Sequence, residues 1–180
     1  MPEYRRAYVK GGTYFFTVVT HQRLPLFRDE PATVLLMQCI ETVRAEQPFA
    51  MDAYVVLPDH LHALWTLPAG DSDFSSRWRR IKARFSRSWT GVTVQDFSES
   101  LRAKGERGIW QRRFWEHAIR DQTDLRRHSD YVHYNPVKHG LVRSPSEWRH
   151  STFSQFVEKG FYQPDWGQSP DRELSEMDLE

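Results

Sequence analysis

The chain has 180 residues, 39% hydrophobic and 14% aromatic, enough to bury one sizeable core and too few for two ordinary domains. No apolar stretch approaches the ~20 residues of a membrane span, and MPEYRRAYVKGG lacks the apolar segment of a signal peptide, so a cytoplasmic protein is expected; the single Cys39 excludes an internal disulfide. The net charge of +1 is uneven: residues from Asp165 onward carry six acidic side chains and one Arg, leaving 24 basic against 18 acidic residues in the body. That split suits a polyanion-binding domain over 1–164 with an acidic tail over 165–180.

GGTYFFTVVT (11–20), β-branched and aromatic after a Gly-Gly turn, predicts a strand. Asp29 to Glu46 predicts a helix, with Pro31 near its start and Val34, Leu35, Cys39, Ile40 and Val43 at helical spacing. MDAYVVL and HLHALWTL are two short strands joined through Pro58 and Asp59, an antiparallel hairpin. Ser75 to Trp89 is helical, with Trp78, Ile81, Phe85 and Trp89 on one side. Residues 91–113 read as an irregular excursion, FWEHAIR (114–120) as a fourth strand, and Asp121 to Asn135 as a helix capped by Asp121 and stopped by Pro136. The order βαββαβα predicts an α+β fold. Its first six elements fit a ferredoxin-like antiparallel four-stranded sheet with helices on one face.

His60 and His62 stand one residue apart at the start of an apolar run. Such a pair arises by chance about one time in three in a chain with this many histidines, so alone it is weak evidence. Strand side chains alternate, so both imidazoles share a face while Leu61, Ala63, Trp65 and Leu67 take the other. Two imidazoles suit a divalent cation once oxygen ligands are nearby; two surface strand histidines are the plainer reading. The last helix changes the balance. At roughly 100° per residue from Leu125, Val132 marks the buried stripe, while His128, Asn135 and Tyr131 share one flank and Tyr134 faces away. If that flank lies over the histidine strand, a phenol and an amide oxygen converge on the imidazoles. A tyrosine there can attack phosphorus beside a metal that polarises the phosphate.

PDHLHALW, WQRRFWEHAIRD and YVHYNPVKHGLV, in that order, resemble the single-tyrosine HUH transposases, most of all the REP-associated tyrosine transposases of bacteria. RRAYVKGGTYFFTVVT and WRHSTFSQF agree as well, so the resemblance spans residues 4–164. It implies that His60 and His62 ligate Mg2+ or Mn2+, with Asn135 as third ligand and Tyr131 as nucleophile. Insertion-sequence relatives carry glutamine at the third position; Asp59, next to His60, is the alternative ligand or an orienting group. The implied reaction cleaves single-stranded DNA beside a REP-like hairpin, leaving a 5′-phosphotyrosine and a free 3′ hydroxyl, and rejoins strands by reversal. A monomer is implied, against the dimers of insertion-sequence relatives.

RWRRIKARFSR (77–87) sets Arg77, Arg80, Arg84 and Arg87 on one helical face, with Lys82 beside them; Arg5, Arg6, Arg112 and Arg113 add two clusters. Arg5, Arg6, Arg77, Arg80, Lys82, Arg84, Arg112 and Arg113 are the expected phosphate contacts. Tyr4, Tyr8, Trp110, Phe114 and Trp115 interleave as stacking candidates, against the simpler reading of a solvated amphipathic helix and core aromatics. Two competing functions stay open: a catalytically silent hairpin binder, and a small-phosphoester hydrolase using His60 and His62. The tail either stays solvated or folds over the basic groove, so deletion after Tyr162 is expected to strengthen DNA binding most at low salt.

Overall fold

The computed structural model describes residues 8–91, 108–169 and 171–179. Strands β1 (Thr13–Val19), β2 (Ala50–Val56), β3 (His60–Thr66) and β4 (Trp115–Ala118) pair antiparallel in the order β2-β3-β1-β4. Helix α1 (Glu30–Glu46) leads into β2 and α2 (Phe74–Ser88) follows β3, as the βαββαβ order predicts. Asp73 caps α2 by accepting from the Ser76 amide at 2.9 Å.

Alternation along the strands divides the interior. Tyr14, Phe16 and Val18 of β1 and Leu61, Ala63 and Trp65 of β3 face α1 and α2, where Trp65 stacks on Trp78 at 4.2 Å. Val34, expected in this core, is 45% exposed; the buried stripe of α1 runs through Ala32, Leu36, Cys39, Ile40 and Val43 instead. Phe15, Ala53, Val55 and Leu64 point the other way, onto α3 (Gln122–Lys138).

Helix α3 passes through Pro136 rather than stopping before it. Pro136 removes one amide donor near the helix end, where little helix remains to be disrupted. The helix is ended by Gly140, which adopts φ +65. Leu141 N–H donates to Pro136 O and Gly140 N–H to Val137 O, both at 2.9 Å, the paired bonds of a Schellman C-cap. The added turn brings Lys138 onto the flank of Tyr131 and Asn135.

Beyond α3, short helices α4 (Phe153–Glu158) and α5 (Arg172–Glu176) cover its outer side. Tyr134, facing away from the sheet as expected, is buried there and accepts a hydrogen bond from the Asp171 amide at 3.1 Å. The acidic segment is therefore packed on the body: Leu174 and Met177 join the apolar cluster of Tyr131 and Val132.

Candidate active site

His60 and His62 sit opposite Val19 and Thr17 of β1 on the α3 face, and both are buried. Their ring centroids are 4.9 Å apart, and the Tyr131 ring meets His62 edge-on at 5.2 Å. Asn135 lies one helical turn beyond Tyr131, also fully buried. The last helix thus lies over the histidine strand, with the expected flank inward.

The protonation pattern follows from the partners. His60 Nδ1 is 2.6 Å from Asp59 Oδ1; a carboxylate only accepts, so Nδ1 carries the proton and Nε2 keeps its lone pair. Burial alone would raise the Asp59 carboxyl, but the His60 hydrogen bond and the Arg23 guanidinium at 3.3 Å outweigh it and hold it below the usual carboxylate range. Both Asp59 oxygens are thereby occupied. His62 Nδ1 lies 2.9 Å from Thr17 Oγ1, which donates its one proton to Leu179 O at 2.5 Å. Thr17 must then accept from His62, so Nδ1 is again the protonated nitrogen.

Among the described residues, His60 Nε2 and both side-chain polar atoms of Asn135 are buried without a hydrogen-bond partner. Buried polar groups are nearly always satisfied, so an imidazole lone pair and an amide left open together are groups that a bound water or ligand would satisfy. Imidazole nitrogen with an amide oxygen is a donor set that borderline and hard divalent cations accept.

Tyr131 is 1% exposed. Its hydroxyl accepts from Lys138 Nζ at 3.1 Å, and the same ammonium donates to Met177 O at 2.5 Å. Lys138 and Thr17 are the contacts that a sequence reading misses. A helix ending at Pro136 leaves Lys138 outside it, and a threonine on a strand carries no signal until its cross-strand partner is known. His139, whose ring lies 5.2 Å from that of His60, lies beyond Pro136 like Lys138.

A second histidine group lies at the other end of α3. Asp124 accepts from His117 Nε2 at 2.8 Å and from Arg120 Nε at 3.1 Å, and stands 3.2 Å from His128 Nδ1. Burial raises the Asp124 carboxyl, yet the hydrogen bonds from His117 and Arg120 dominate and hold it far below its usual range. The three donor groups lie within 4.8 Å of one another, close enough to suggest a metal site. The imidazoles, however, are 4.6 Å apart with planes 12° from parallel, so stacked rings point their lone pairs alongside each other rather than at one point. This group already satisfies itself.

The basic residues divide. Arg77 is buried and spends its guanidinium on Gln47 O, Pro48 O, Asp73 O and Asp71 Oδ2, at 2.6 to 3.1 Å; it anchors α2 and is not available to phosphate, contrary to expectation. Arg80 and Arg84 both pair with Glu46 at the surface. Lys82 donates to Gln111 O at 2.5 Å and to Arg112 O at 3.4 Å, which sets exposed Arg112 and Arg113 beside the basic face of α2. Arg5, Arg6 and Tyr4 lie outside the described residues. Of the stacking candidates, Trp110 and Phe114 pack against the core, whereas Tyr8 is 57% exposed.

A ferredoxin-like antiparallel sheet with a buried His-x-His pair on a central strand, faced by a tyrosine of the following helix, has the architecture of the single-tyrosine transposases. Comparison with protein-family models gives no match. A REP-associated tyrosine transposase of Escherichia coli K12 is 47% identical over 169 residues, 92% of this chain and 91% of its own. A Haemophilus influenzae Rd relative with the same designation is 40% identical over 174 residues, 97% and 98% of the two chains. The solved structure of a REP-associated tyrosine transposase bound to a REP hairpin is 44% identical, covers both chains fully and superposes with a TM-score of 0.78. The chain belongs to the REP-associated tyrosine transposase family.

Proposed function

We propose that this protein cleaves and rejoins single-stranded DNA beside a REP-like hairpin, with Tyr131 as nucleophile and Mg2+ or Mn2+ held by His60, His62 and Asn135. The carrying observation is the pair of unsatisfied buried groups, His60 Nε2 and the Asn135 amide, next to the tyrosine. Asn135 is favoured over Asp59 as third ligand because both Asp59 oxygens serve His60 and Arg23. Asp59 and Thr17 act from behind, fixing the ring orientation that presents each Nε2 inward.

When bound, the cation supplies charge to a phosphate oxygen, worth several kcal/mol as charge develops on phosphorus. Tyr131 Oη attacks the phosphorus while the 3′ oxygen departs as a hydroxyl, leaving a 5′-phosphotyrosine. Attack by a free 3′ hydroxyl reverses the step, so the link is conserved without a nucleotide cofactor. The hairpin phosphates are drawn by Arg80, Lys82, Arg84, Arg112 and Arg113, with Arg5 and Arg6 as further candidates. The Glu46 pairs at Arg80 and Arg84 are surface pairs of at most about 1 kcal/mol, so phosphate can displace them.

Burial of Tyr131 under the segment that carries Leu174 and Met177 favours one second reading, a protein that binds hairpins without cutting. Labelled hairpin oligonucleotides with manganese, resolved on a denaturing gel, separate the two. Cleavage predicts a covalent adduct that Tyr131→Phe abolishes; binding alone predicts tight complexes and no adduct, even after truncation behind Ser169. The segment packs against Tyr131, so that truncation is expected to tighten hairpin binding, most at low salt where its acidic charge is least screened. Gel filtration with light scattering checks the expectation of a monomer.

A further inference from the structure

We propose that Lys138 is a catalytic residue for strand cleavage and rejoining, its ammonium neutralising the charge that forms on the Tyr131 oxygen. The inference rests on Tyr131 being the nucleophile. Three observations carry it. Lys138 Nζ is 3.1 Å from the phenolic oxygen, a hydrogen bond on the reacting atom itself. The same nitrogen lies 4.8 Å from the ring centroid, so it sits at the oxygen end of the phenol, where the charge develops. Lys138 is seven residues, two helical turns, beyond Tyr131 on one rigid helix, which fixes the pair without a loop.

A charge-assisted hydrogen bond acts more strongly on an anion than on a neutral phenol, and so favours the transition state over the ground state. In the forward step the Tyr131 oxygen bonds to phosphorus as the bond from phosphorus to the 3′ oxygen breaks. The phenolic proton leaves to solvent and the departing 3′ oxygen takes one from solvent, so no net proton is consumed; Lys138 keeps its own. In the reverse step the phenolate is the leaving group and Lys138 stabilises it again. The other contact of Lys138, to Met177 O, makes the plain alternative a clamp on the C-terminal segment. The two roles predict opposite effects: losing a clamp exposes Tyr131 and raises the rate, whereas losing the oxyanion partner lowers it.

The test measures single-turnover adduct formation and rejoining at saturating hairpin DNA and manganese, in full-length wild type, Lys138→Met, Lys138→Arg and Tyr131→Phe. Lys138→Met is expected to slow both directions about 10²- to 10³-fold, by one shared transition state, with hairpin affinity and melting temperature held near wild type. Lys138→Arg is expected to restore most of the rate, because it keeps the charge. A substrate with sulfur in place of the scissile 3′ oxygen leaves more easily and is expected not to rescue Lys138→Met, since the defect lies at the nucleophile. An undiminished or faster Lys138→Met rate, or rescue by that sulfur substrate, overturns the role of Lys138 alone. Absence of any Tyr131-dependent adduct from wild type overturns the nucleophile assignment and this inference together.

Discussion

Two histidine groups lie against the inner side of one helix, and they differ in whether they are finished. At the start of α3, His117 donates to the Asp124 carboxylate and His128 Nδ1 to the Asp124 backbone carbonyl, and the two rings stack. Toward its end, the Nδ1 atoms of His60 and His62 are committed to Asp59 and Thr17, while His60 Nε2 and the Asn135 amide make no hydrogen bond among the described residues. Phe15 stands between the groups, 5.0 Å from His128 and 5.3 Å from His62. Histidines and carboxylates gathered within ligand distance do not by themselves make a metal site. The direction of the lone pairs and the presence of unsatisfied buried donors separate a site that waits for a ligand from one that has closed on itself.

The sharpest way to break this comparison is substitution in each group. His62→Ala is expected to bring hairpin adduct formation to background, while His117→Ala leaves it within a few-fold of wild type; equal losses on the gel would erase the distinction. Next in size, Asp59→Ala frees His60 to rotate and is expected to weaken Mn2+ binding about 10- to 100-fold, measured by calorimetry. An unchanged affinity would remove Asp59 from its orienting role.

The closed group is expected to contribute to stability instead. Asp124→Asn loses charged hydrogen bonds to His117 and Arg120, at a cost of about 1–3 kcal/mol in urea unfolding at neutral pH. Because the folded state depresses the Asp124 carboxyl, its stabilisation is present above the ordinary aspartate value near 4 and fades as pH falls below it. The gap between wild type and variant is therefore expected to narrow in acid; a gap that widens would contradict the pairing.

The smallest effect concerns the helix end that brings Lys138 into place. Gly140→Ala forces a side chain into φ +65 and is expected to cost about 1 kcal/mol, with Pro136→Ala costing nothing. The reverse ranking would restore Pro136 as the terminator.

That helix end also shows how far the sequence could be read. The strands and helices, the shared face of His60 and His62 and the shared flank of Tyr131 and Asn135 follow from periodicities of 2 and 3.6, which local side chains record faithfully, and the element order gives the ferredoxin-like plan; that the flank lies over the histidine strand comes from the fold. Pro136 misled because a proline in the last turn is tolerated, and the cap depends on a glycine four residues on. Arg77 misled in another way: its spacing fits a basic surface stripe, but only the fold brings the Gln47 and Pro48 carbonyls around it. The Thr17 link to His62 belongs to cross-strand register, and the burial of Tyr131 belongs to a segment some forty residues away. None of these has a local pattern.

The central claim is that the open group, and not the closed one, takes the cation. A crystal of the full-length protein grown with Mn2+ and measured for anomalous scattering tests it directly. The account predicts a peak bonded to His60 Nε2 and His62 Nε2 at roughly 2.1–2.3 Å with Asn135 beside it. A peak at Asp124 between His117 and His128, with none at His60, would contradict it.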